Sequence, residues 1–522
     1  MKRRIVVVGG GSGGCVMAAR LSEDEDNEVV LIEAGPDYPT LADLHENVKD
    51  AFTFGFTSHD WGYVSDDHIP GSADAPTFAI VEQGVLPVLR GKVMGGSSSV
   101  NATNALRPTR RDFEQWVGLG LDKWSWDEVL PHLKRLENDP VGGPLHGIDG
   151  PVPIKRWSEG DGLRPFMAAF VESAVSLGYQ VVDDLNGESQ LGVGPIPLNQ
   201  KDGIRQSSAV TYLAAARGRK NLTIRGGADV DRLAIVDGRP RAVLLADGER
   251  IDADLVVLCA GSIGTPSILM RSGIGPAEVL EQLDIPVEVP LEGVGRNLRD
   301  HPLVYMTYAG DAEAIGELLP PLEVVLTTSA AGPDGSTDID LHVIPFTLEP
   351  GSILVAVGLV RPYSIGHTEI RSADPRTDPR ILLNLLHHPE DLRRLVQGVE
   401  LTRQVMNSGP LAKYVSDELW PGPAVVTTGQ LTQAVLEAKN TYAHAVGTAS
   451  MGDAGSPWAV VGQDCKVHGL DALYVADASV MPTIVGVPTN TTTMMIAERC
   501  ADFIKSTFAG RTEHSGQETA QT

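Results

Sequence analysis

Short apolar runs and a glycine-rich turn dominate the amino-terminal end of the chain. Residues 4–8 form an apolar, β-branched run, and the turn 9–14, Gly-Gly-Gly-Ser-Gly-Gly, follows at once. A helical stretch, 15–21, leads to a second apolar run, 29–32, which ends at Glu33. Strand, glycine turn, helix and strand within about thirty residues are typical of a βαβ dinucleotide-binding unit. The pattern therefore predicts a parallel sheet with a ligand at the glycine turn.

Later apolar runs return to this sheet after an excursion. The runs 221–225, 239–245 and 253–258 indicate further strands, and the last of them leads into Gly261 and a helix start. Residues 473–477 indicate one more strand, ending in an aspartate. The sheet is therefore expected to be assembled from distant parts of the chain.

The middle of the chain has a different pattern. Alternating and β-rich runs at 304–308, 324–328, 339–344 and 354–357 follow one another with no helical period between them. Helix 389–406 follows, with an apolar stripe of the spacing that faces a core. These runs predict an antiparallel sheet in a second domain.

We therefore predict an α/β fold in which a Rossmann-like domain is interleaved with a substrate domain built on an antiparallel β-sheet. The expected nucleotide-binding domain comprises residues 1–150, 195–300 and 445–508, the substrate domain comprises 301–440, and residues 509–522 form a disordered tail.

Charge and composition narrow the possible partners. The net charge is −26, from 42 basic and 68 acidic residues, and no basic patch is evident, so a nucleic-acid partner is not expected. The longest uncharged run, 479–497, contains two prolines and five threonines and is a poor membrane span. No basic-then-apolar leader precedes the first strand. The four cysteines are Cys15, Cys259, Cys465 and Cys500. Their wide separation gives no metal-ligand spacing and favours reduced thiols in the core of a cytoplasmic protein without a metal site.

The glycine turn carries the first candidate chemistry. Gly9 permits a tight turn, Gly11 allows a pyrophosphate to approach the backbone, and Gly14 allows the helix to pack on the strand. Glu33 can accept a hydrogen bond from a ribose 2′-hydroxyl and disfavours a 2′-phosphate. The alternative is an ordinary tight turn of an α/β protein. The flanking strands and the acid at the expected distance favour the dinucleotide.

Three further segments gain meaning only together. The small polar residues of 90–104 offer backbone N–H groups to an anion, although alone they would indicate a flexible serine-rich loop. His444 lies in the glycine-broken loop 442–452 and would alone be an ordinary loop histidine. Asn490, just before the expected helix 494–505, would alone be a helix cap.

Together the segments resemble the glucose–methanol–choline (GMC) oxidoreductase family over Ile5 to about Lys505. Four blocks carry the resemblance: the glycine turn with Glu33-Ala-Gly35, residues 91–101, residues 261–275, and the segments around His444 and Asn490. The chain looks most similar to the bacterial choline oxidase and hydroxymethylfurfural oxidase branch, which acts on primary alcohols.

The resemblance implies bound FAD and a set of contact residues. Gly9, Gly11, Ser12, Gly13 and Gly14 would hold the pyrophosphate, Glu33 the adenosine ribose, and the backbone of Val230 the adenine. Ser97, Asn101, Ala102, Thr103 and Asn104 would line the pyrophosphate and flavin, and Asp477, Ala478 and Thr492 the ribityl chain and pyrimidine edge.

The resemblance also implies the catalytic pair His444 and Asn490. A histidine with an ordinary pKa near 6.5 can accept the hydroxyl proton of an alcohol. The amide of Asn490 can hydrogen-bond the developing alkoxide. The expected reaction is oxidation of a small alcohol to the aldehyde by hydride transfer to flavin N5, with O₂ or another acceptor reoxidising the flavin. Neither the acceptor nor an oligomeric state is assigned by the sequence.

Two positions depart from the choline oxidases. Those enzymes attach FAD covalently through a histidine where this chain has Val100, so non-covalent FAD is expected. They also bind the substrate cation with a glutamate after a His-Pro pair, and here Leu303 follows His301-Pro302. The departure favours a neutral, primary alcohol.

Three other functions would explain part of the sequence pattern. A hydroxynitrile lyase of the same family would keep FAD and the histidine without redox turnover. An NAD-dependent dehydrogenase would explain only the glycine turn and Glu33. A non-catalytic flavoprotein would leave an intact His444 and Asn490 unexplained.

Overall fold

The computed structural model describes residues 2–53, 58–67, 84–157, 162–316, 322–333, 338–347 and 349–518. Its principal helices are Ser12–Leu21, Arg110–Gly118, Trp126–Leu136, Pro165–Ser176, Gly261–Arg271, Ala277–Gln282, Pro389–Met406, Thr428–Ala438 and Thr489–Glu518. A five-residue π-helical turn, Ala209–Leu213, runs into Ala214–Ala216.

A five-stranded, all-parallel sheet forms the first half of the fold. Its strands, in spatial order, are Leu473–Val475, Leu255–Leu258, Arg3–Val8, Asn27–Ile32 and Leu222–Arg225. Residues 5–8 are almost completely buried, as expected of a strand covered on both faces. The glycine turn leaves the carboxyl end of the central strand, which is where open α/β sheets bind ligands. The strands and the helix around the glycine turn are therefore present as predicted, and the turn lies at the edge of the sheet where such folds bind ligands.

A small antiparallel sheet lies beside it. Its three strands, in order, are Arg250–Asp252, Arg239–Leu245 and Val230–Val236. The run 239–245 is therefore a strand, as expected, but it belongs to this separate sheet. Val230 begins the outer strand and is paired with Leu245.

A larger antiparallel sheet forms the second half. Its strands, in order, are Val415–Trp420, Pro302–Gly310, Ser352–Leu359, Leu341–Thr347, Val324–Thr328 and Gly192–Pro195, and Asn440–Thr441 also pairs with Pro302–Gly310. The α/β fold with two kinds of sheet is therefore confirmed. The strand 192–195 and the helix 165–176 join this half from outside the range expected for the substrate domain.

The larger sheet separates two hydrophobic cores by simple alternation. In the strand Pro302–Gly310, Val304, Met306 and Tyr308 point into a core that also contains the helix Pro389–Met406. The side chains of this sheet on the opposite face that line a cavity are Tyr305, Ile344, Phe346 and Ala356. Strand periodicity therefore provides an apolar wall.

The carboxyl-terminal helix extends beyond the expected range 494–505 at both ends. It begins at Thr489 and continues to Glu518, into the segment from 509 that was expected to be a disordered tail. Residues 519–522 of that tail lie outside the described residues. The domain bounds themselves stay a prediction. In the part of the chain that the structure describes, no helix combines the length and apolar character needed to cross a bilayer.

The cysteines correct one expectation. Cys465 and Cys500 are both fully buried and joined by a disulfide, so the prediction of four reduced thiols is wrong for this pair. Cys15 and Cys259 are buried free thiols. The last helix brings Cys500 against a loop 35 residues earlier, a contact that spacing along the chain does not reveal. Cytoplasmic location thereby loses the support of its cysteine argument and stays a prediction.

Candidate cofactor and active site

A cavity of about 1190 Å³ opens where the parallel sheet faces the larger antiparallel sheet. It is large for a small-molecule pocket, for which roughly 300–1,000 Å³ is usual. The predicted site residues that line it are Gly9, Gly11, Ser12, Gly13, Glu33, Ser97, Asn101, Ala102, Asn104, Val230, His444, Asp477, Ala478 and Asn490. Predicted residues from seven separate stretches of the chain thus meet around one cavity.

The glycine turn is shaped by contacts that leave no room for side chains. A Cβ at Gly14 would lie 1.8 Å from the carbonyl oxygen of Gly9, and one at Gly13 would lie 2.1 Å from that of Ala476. Gly9 has a positive φ of 95°. The absence of a side chain at Gly14 therefore allows the helix to pack on the strand, as its position predicts. Gly14 does not line the cavity, although the resemblance implies that it holds the pyrophosphate. At Gly11, by contrast, the nearest atom would be 3.8 Å away, which leaves backbone exposed to a ligand.

Glu33 closes the turn. The N–H of Gly10 donates to its Oε2 at 2.8 Å and the N–H of Gly35 to its Oε1 at 2.9 Å. Burial outweighs these hydrogen bonds and raises the pKa of Glu33 to about 7. Each oxygen keeps a lone pair, so the carboxyl group can still accept from a ribose hydroxyl.

The second block contributes mainly backbone. Gly96–Ser99 forms a 3₁₀ turn, and the N–H of Gly91 donates to Ser97 Oγ at 3.1 Å. Thr103 is an exception among the predicted contacts. It has a positive φ of 58°, is buried, and does not line the cavity.

Beside the glycine turn, the carboxylate of Asp477 is engaged in internal hydrogen bonds. Its Oδ2 accepts from the N–H of Gly261 at 2.9 Å and from Thr265 Oγ1 at 2.6 Å, and its Oδ1 accepts from Ser479. It therefore ties the helix Gly261–Arg271 to the strand end. Thr492, also predicted to contact FAD, does not line the cavity, and its buried Oγ1 has no hydrogen-bond partner.

The carboxylate of Asp300 accepts a hydrogen bond from the backbone of His444 and so fixes the loop. Asp300 Oδ1 accepts from the backbone N–H of both His301 and His444, at 2.7 and 2.8 Å, and Thr441 Oγ1 donates to its other oxygen. The rings of His444 and Tyr442 stack with centroids 5.0 Å apart. Burial, assisted by the nearby Arg90 guanidinium, lowers the pKa of His444 to about 3. The imidazole is therefore neutral at physiological pH and able to accept a proton.

Asn490 lies in the first turn of the last helix, one residue after its start. Its Oδ1 accepts a hydrogen bond from Ser12 Oγ at 2.7 Å, across 478 residues of sequence. The side chain is therefore directed at the glycine turn and not at the helix backbone, unlike a helix cap. Because Oδ1 is engaged, Nδ2 is the group left to donate into the cavity.

The cavity fits a flavin dinucleotide. Exposed backbone at Gly11 and the amino-terminal N–H groups of the helix Ser12–Leu21 suit a pyrophosphate, and Glu33 suits a ribose. His444 and the apolar sheet face lie in the same space, where a reacting ring and a substrate would meet.

The residues that line the cavity but were not predicted from the sequence include Arg90 and Tyr442. Arg90 lines the cavity, and its buried Nε and Nη2 atoms have no hydrogen-bond partner. Tyr442 also lines it, with a buried, unpartnered hydroxyl. Both lie inside segments that the sequence singled out, yet only the folded structure shows that they face His444.

A buried charged cluster outside the cavity invites a metal interpretation. Ligand atoms of Glu137, Asp139 and His146 all lie within 4.8 Å of one another. Arg156, however, donates to both Asp139 oxygens at 2.7 and 2.9 Å. Burial disfavours the imidazolium, but hydrogen bonds to Asp139 and Asp184 outweigh it and raise the pKa of His146 to about 10. The carboxylates and the imidazole of this cluster are thus engaged in a buried network of ion pairs and hydrogen bonds.

Known proteins show the same architecture. GMC oxidoreductase family domains match residues 4–303 and 362–497. Oxygen-dependent choline dehydrogenases of Cronobacter sakazakii and Klebsiella pneumoniae are each 34% identical over 535 residues, covering 94% of this chain and 92–93% of those proteins.

Solved structures agree. Pyridoxine 4-oxidase from Mesorbium loti superposes with a TM-score of 0.87 at 31% identity, covering 96% of this chain and 99% of that one. A formate oxidase variant of Aspergillus oryzae gives 0.84 at 26% identity, covering 97% and 98%. The chain therefore belongs to the GMC oxidoreductase family and is an FAD-dependent oxidoreductase acting on CH–OH donors.

Proposed function

We propose that this protein oxidises a neutral primary alcohol to the aldehyde, with His444 accepting the hydroxyl proton. When bound, FAD supplies the hydride acceptor. The observation that carries the proposal is the half-buried, neutral His444, which lines the same cavity as the glycine turn. A base that is unprotonated at neutral pH is ready to remove a proton as the carbon gives up its hydride.

Asn490 is proposed to orient the substrate oxygen. Its amide oxygen is held by Ser12, so Nδ2 can donate to the alkoxide without first reorganising. His444 lies in a loop and is hydrogen-bonded to His301. Asn490 lies in the first turn of the last helix. In this proposal His444 accepts the hydroxyl proton, and Asn490 donates a hydrogen bond to the substrate oxygen.

The substrate class follows from the cavity wall. The lining residues of the larger sheet include the apolar or aromatic Tyr305, Ile344, Phe346 and Ala356, with the polar Asn440 and Thr441 on the short strand at its edge. Such a wall favours an uncharged substrate body over a cation, which loses hydration on burial. Choline is the rival substrate, because the curated relatives are choline dehydrogenases.

A matched pair of alcohols tests the proposal. Choline and 3,3-dimethylbutan-1-ol share size and shape and differ in the charged nitrogen. Under anaerobic conditions, we expect the neutral alcohol to bleach the oxidised flavin with the larger ratio of limiting reduction rate to apparent Kd. Admission of air then tests oxygen as acceptor. A tenfold preference for choline would overturn the substrate class, and failure of both, together with benzyl alcohol and 1-butanol, would overturn the proposed oxidation.

FAD is expected to be bound without a covalent link. Val100 offers no nucleophile; it is buried and packs with Val48 and Val93. Precipitating the holoprotein with acid should therefore release yellow flavin to the supernatant, as measured by absorbance. Flavin that stays with the washed precipitate, and migrates with the chain in a denaturing gel, would contradict this prediction.

The rate of flavin reduction should not follow an ordinary histidine titration. Because the pKa of His444 is lowered to about 3, the neutral base is fully present above that pH and is lost only as pH falls through it. A histidine with pKa 6.5 would lose roughly 30-fold in neutral fraction by pH 5. We expect the ratio of limiting reduction rate to apparent Kd, measured anaerobically, to stay level from pH 8 to pH 5. An acidic limb near pH 6.5 would contradict the assignment.

Folding must be checked at each pH. His301, His342 and His444 all have lowered pKa values, chiefly through burial. Below pH about 6.5 the unfolded chain binds their protons while the folded chain does not, so stability falls as pH falls. Circular dichroism and retained flavin absorbance separate a loss of fold from a titration of the base.

A further inference from the structure

A second histidine contacts the proposed base directly. His301 Nδ1 and His444 Nδ1 are 2.9 Å apart, and their rings meet edge to face with centroids separated by 5.2 Å. His301 is completely buried. A pair of Nδ1 atoms at this distance shares one proton, since one nitrogen must donate and the other accept.

The surroundings favour one direction for that hydrogen bond. The Nε2 atom of His301 is buried without a hydrogen-bond partner, and the neighbouring backbone of Val485 favours a proton on the His301 ring. A neutral imidazole protonated at Nε2 has an accepting Nδ1. His444 then donates from its own Nδ1, and its Nε2 carries the free lone pair.

Other charges near the pair oppose a second proton. Burial and the Arg361 guanidinium lower the affinity of the His301 ring for a proton, and burial and the Arg90 guanidinium do the same for the His444 ring. The buried Asp300 carboxyl group is bound to the two backbone N–H groups of the pair and to Thr441. In the absence of substrate chemistry the pair is therefore neutral, with its tautomers decided by the hydrogen bond between the rings.

We propose that His301 is a positioning residue, which accepts the Nδ1 proton of His444 and so keeps His444 Nε2 unprotonated toward the cavity. The inference rests on the proposed function, in which His444 is the base. The opposite tautomer would put a proton on His444 Nε2, and the histidine would then have no lone pair to offer the alcohol. When Nε2 takes the hydroxyl proton, the same hydrogen bond stabilises the resulting imidazolium by accepting from its Nδ1–H.

Two substitutions at one position separate positioning from packing. His301→Asn can place its Oδ1 near the position of the ring Nδ1 and accept the same proton, whereas His301→Leu fills similar space without an acceptor. We expect the leucine variant to lose roughly 10- to 100-fold in the limiting rate of flavin reduction, the range typical of a lost histidine-orienting partner. The asparagine variant should recover most of that loss. The apparent Kd for 3,3-dimethylbutan-1-ol should change little in either.

The pattern of the two variants decides the question. Equal losses in both variants, with FAD retained, would mean that His301 serves packing alone and would overturn the inference. An unchanged rate in His301→Leu would overturn it as well. In both cases the wild-type enzyme still reduces its flavin, so the proposed function stands.

A tautomer measurement keeps the inference testable without turnover. In holoprotein labelled with ¹⁵N-histidine, His444 is identified by its loss in His444→Gln, and its two ring nitrogens are distinguished by chemical shift. We expect a protonated Nδ1 and an unprotonated Nε2 in the wild type, and a mixture in His301→Leu. A protonated Nε2 in the wild type would overturn the inference.

Discussion

Replacing His444 by alanine should slow anaerobic flavin reduction by an alcohol about 10²- to 10⁴-fold, the usual contribution of a general base. FAD should remain bound, because the glycine turn and Glu33 lie on another segment. Stopped-flow bleaching of the oxidised flavin measures the effect directly. Added imidazole should restore part of the rate, since the substitution leaves space where the ring stood.

The matched comparison is Asn490→Ala. It removes one neutral hydrogen-bond donor and leaves the base, so its loss should be smaller than that of His444→Ala. Asn490→His should retain partial activity, because a histidine can also donate to the substrate oxygen. If His444→Ala reduces its flavin at the wild-type rate, the assignment of His444 is wrong and another cavity residue must act as base.

The parts of the fold that sequence predicted are those set by local periodicity. The strands Arg3–Val8 and Asn27–Ile32, the helix Ser12–Leu21 and the turn between them all follow from short-range patterns of apolar and glycine residues. The alternation of Val304 and Tyr305 between two faces likewise follows from the twofold repeat of a strand. Such patterns need no knowledge of what the segment packs against.

The contacts that make the site were not predictable in the same way. His301 meets His444 across 143 residues, and Ser12 meets Asn490 across 478. Each contact depends on how two remote segments are brought together, which no local pattern records. In the segment that includes His301, the sequence supports a prediction only at Leu303, which stands where the choline oxidases have a glutamate.

The direction of individual side chains near the cavity is set by helix or turn geometry, which the sequence blocks do not record. Asn490 and Thr493 line the cavity from one face of the last helix, and Thr492, between them, does not. Thr103 adopts a left-handed backbone conformation and is buried away from the cavity. The resemblance of a sequence block places such residues in one region, but the orientation of each side chain depends on the exact phase of its helix or turn.

The glycine turn offers a test in which fold and cofactor binding come apart. Gly14→Ala would put a Cβ 1.8 Å from the carbonyl oxygen of Gly9, a backbone atom at the end of the central strand. Neither atom can yield without moving the helix Ser12–Leu21 off the sheet. We expect a cost of about 3 kcal/mol or more, at the upper end of overpacking effects, with a lowered melting temperature even in the apoprotein.

Gly11→Ala should behave differently. Its Cβ would meet no protein atom closer than 3.8 Å, and φ at this residue is −78°, which alanine adopts without strain. The apoprotein should therefore fold normally. The added methyl group occupies the space proposed for the pyrophosphate, so FAD affinity should fall at least about tenfold, equivalent to about 1.4 kcal/mol.

Gly118→Ala completes the set, because its Cβ would meet nothing within 4 Å at the end of the helix Arg110–Gly118. It should change neither the melting temperature nor the affinity for FAD. Thermal unfolding of the three apoproteins and titration of each with FAD, followed by flavin fluorescence, measure both quantities. If Gly11→Ala binds FAD as tightly as the wild type, the pyrophosphate does not lie against this turn. If Gly14→Ala melts like Gly118→Ala, the close approach of helix and strand is not what holds glycine at this position.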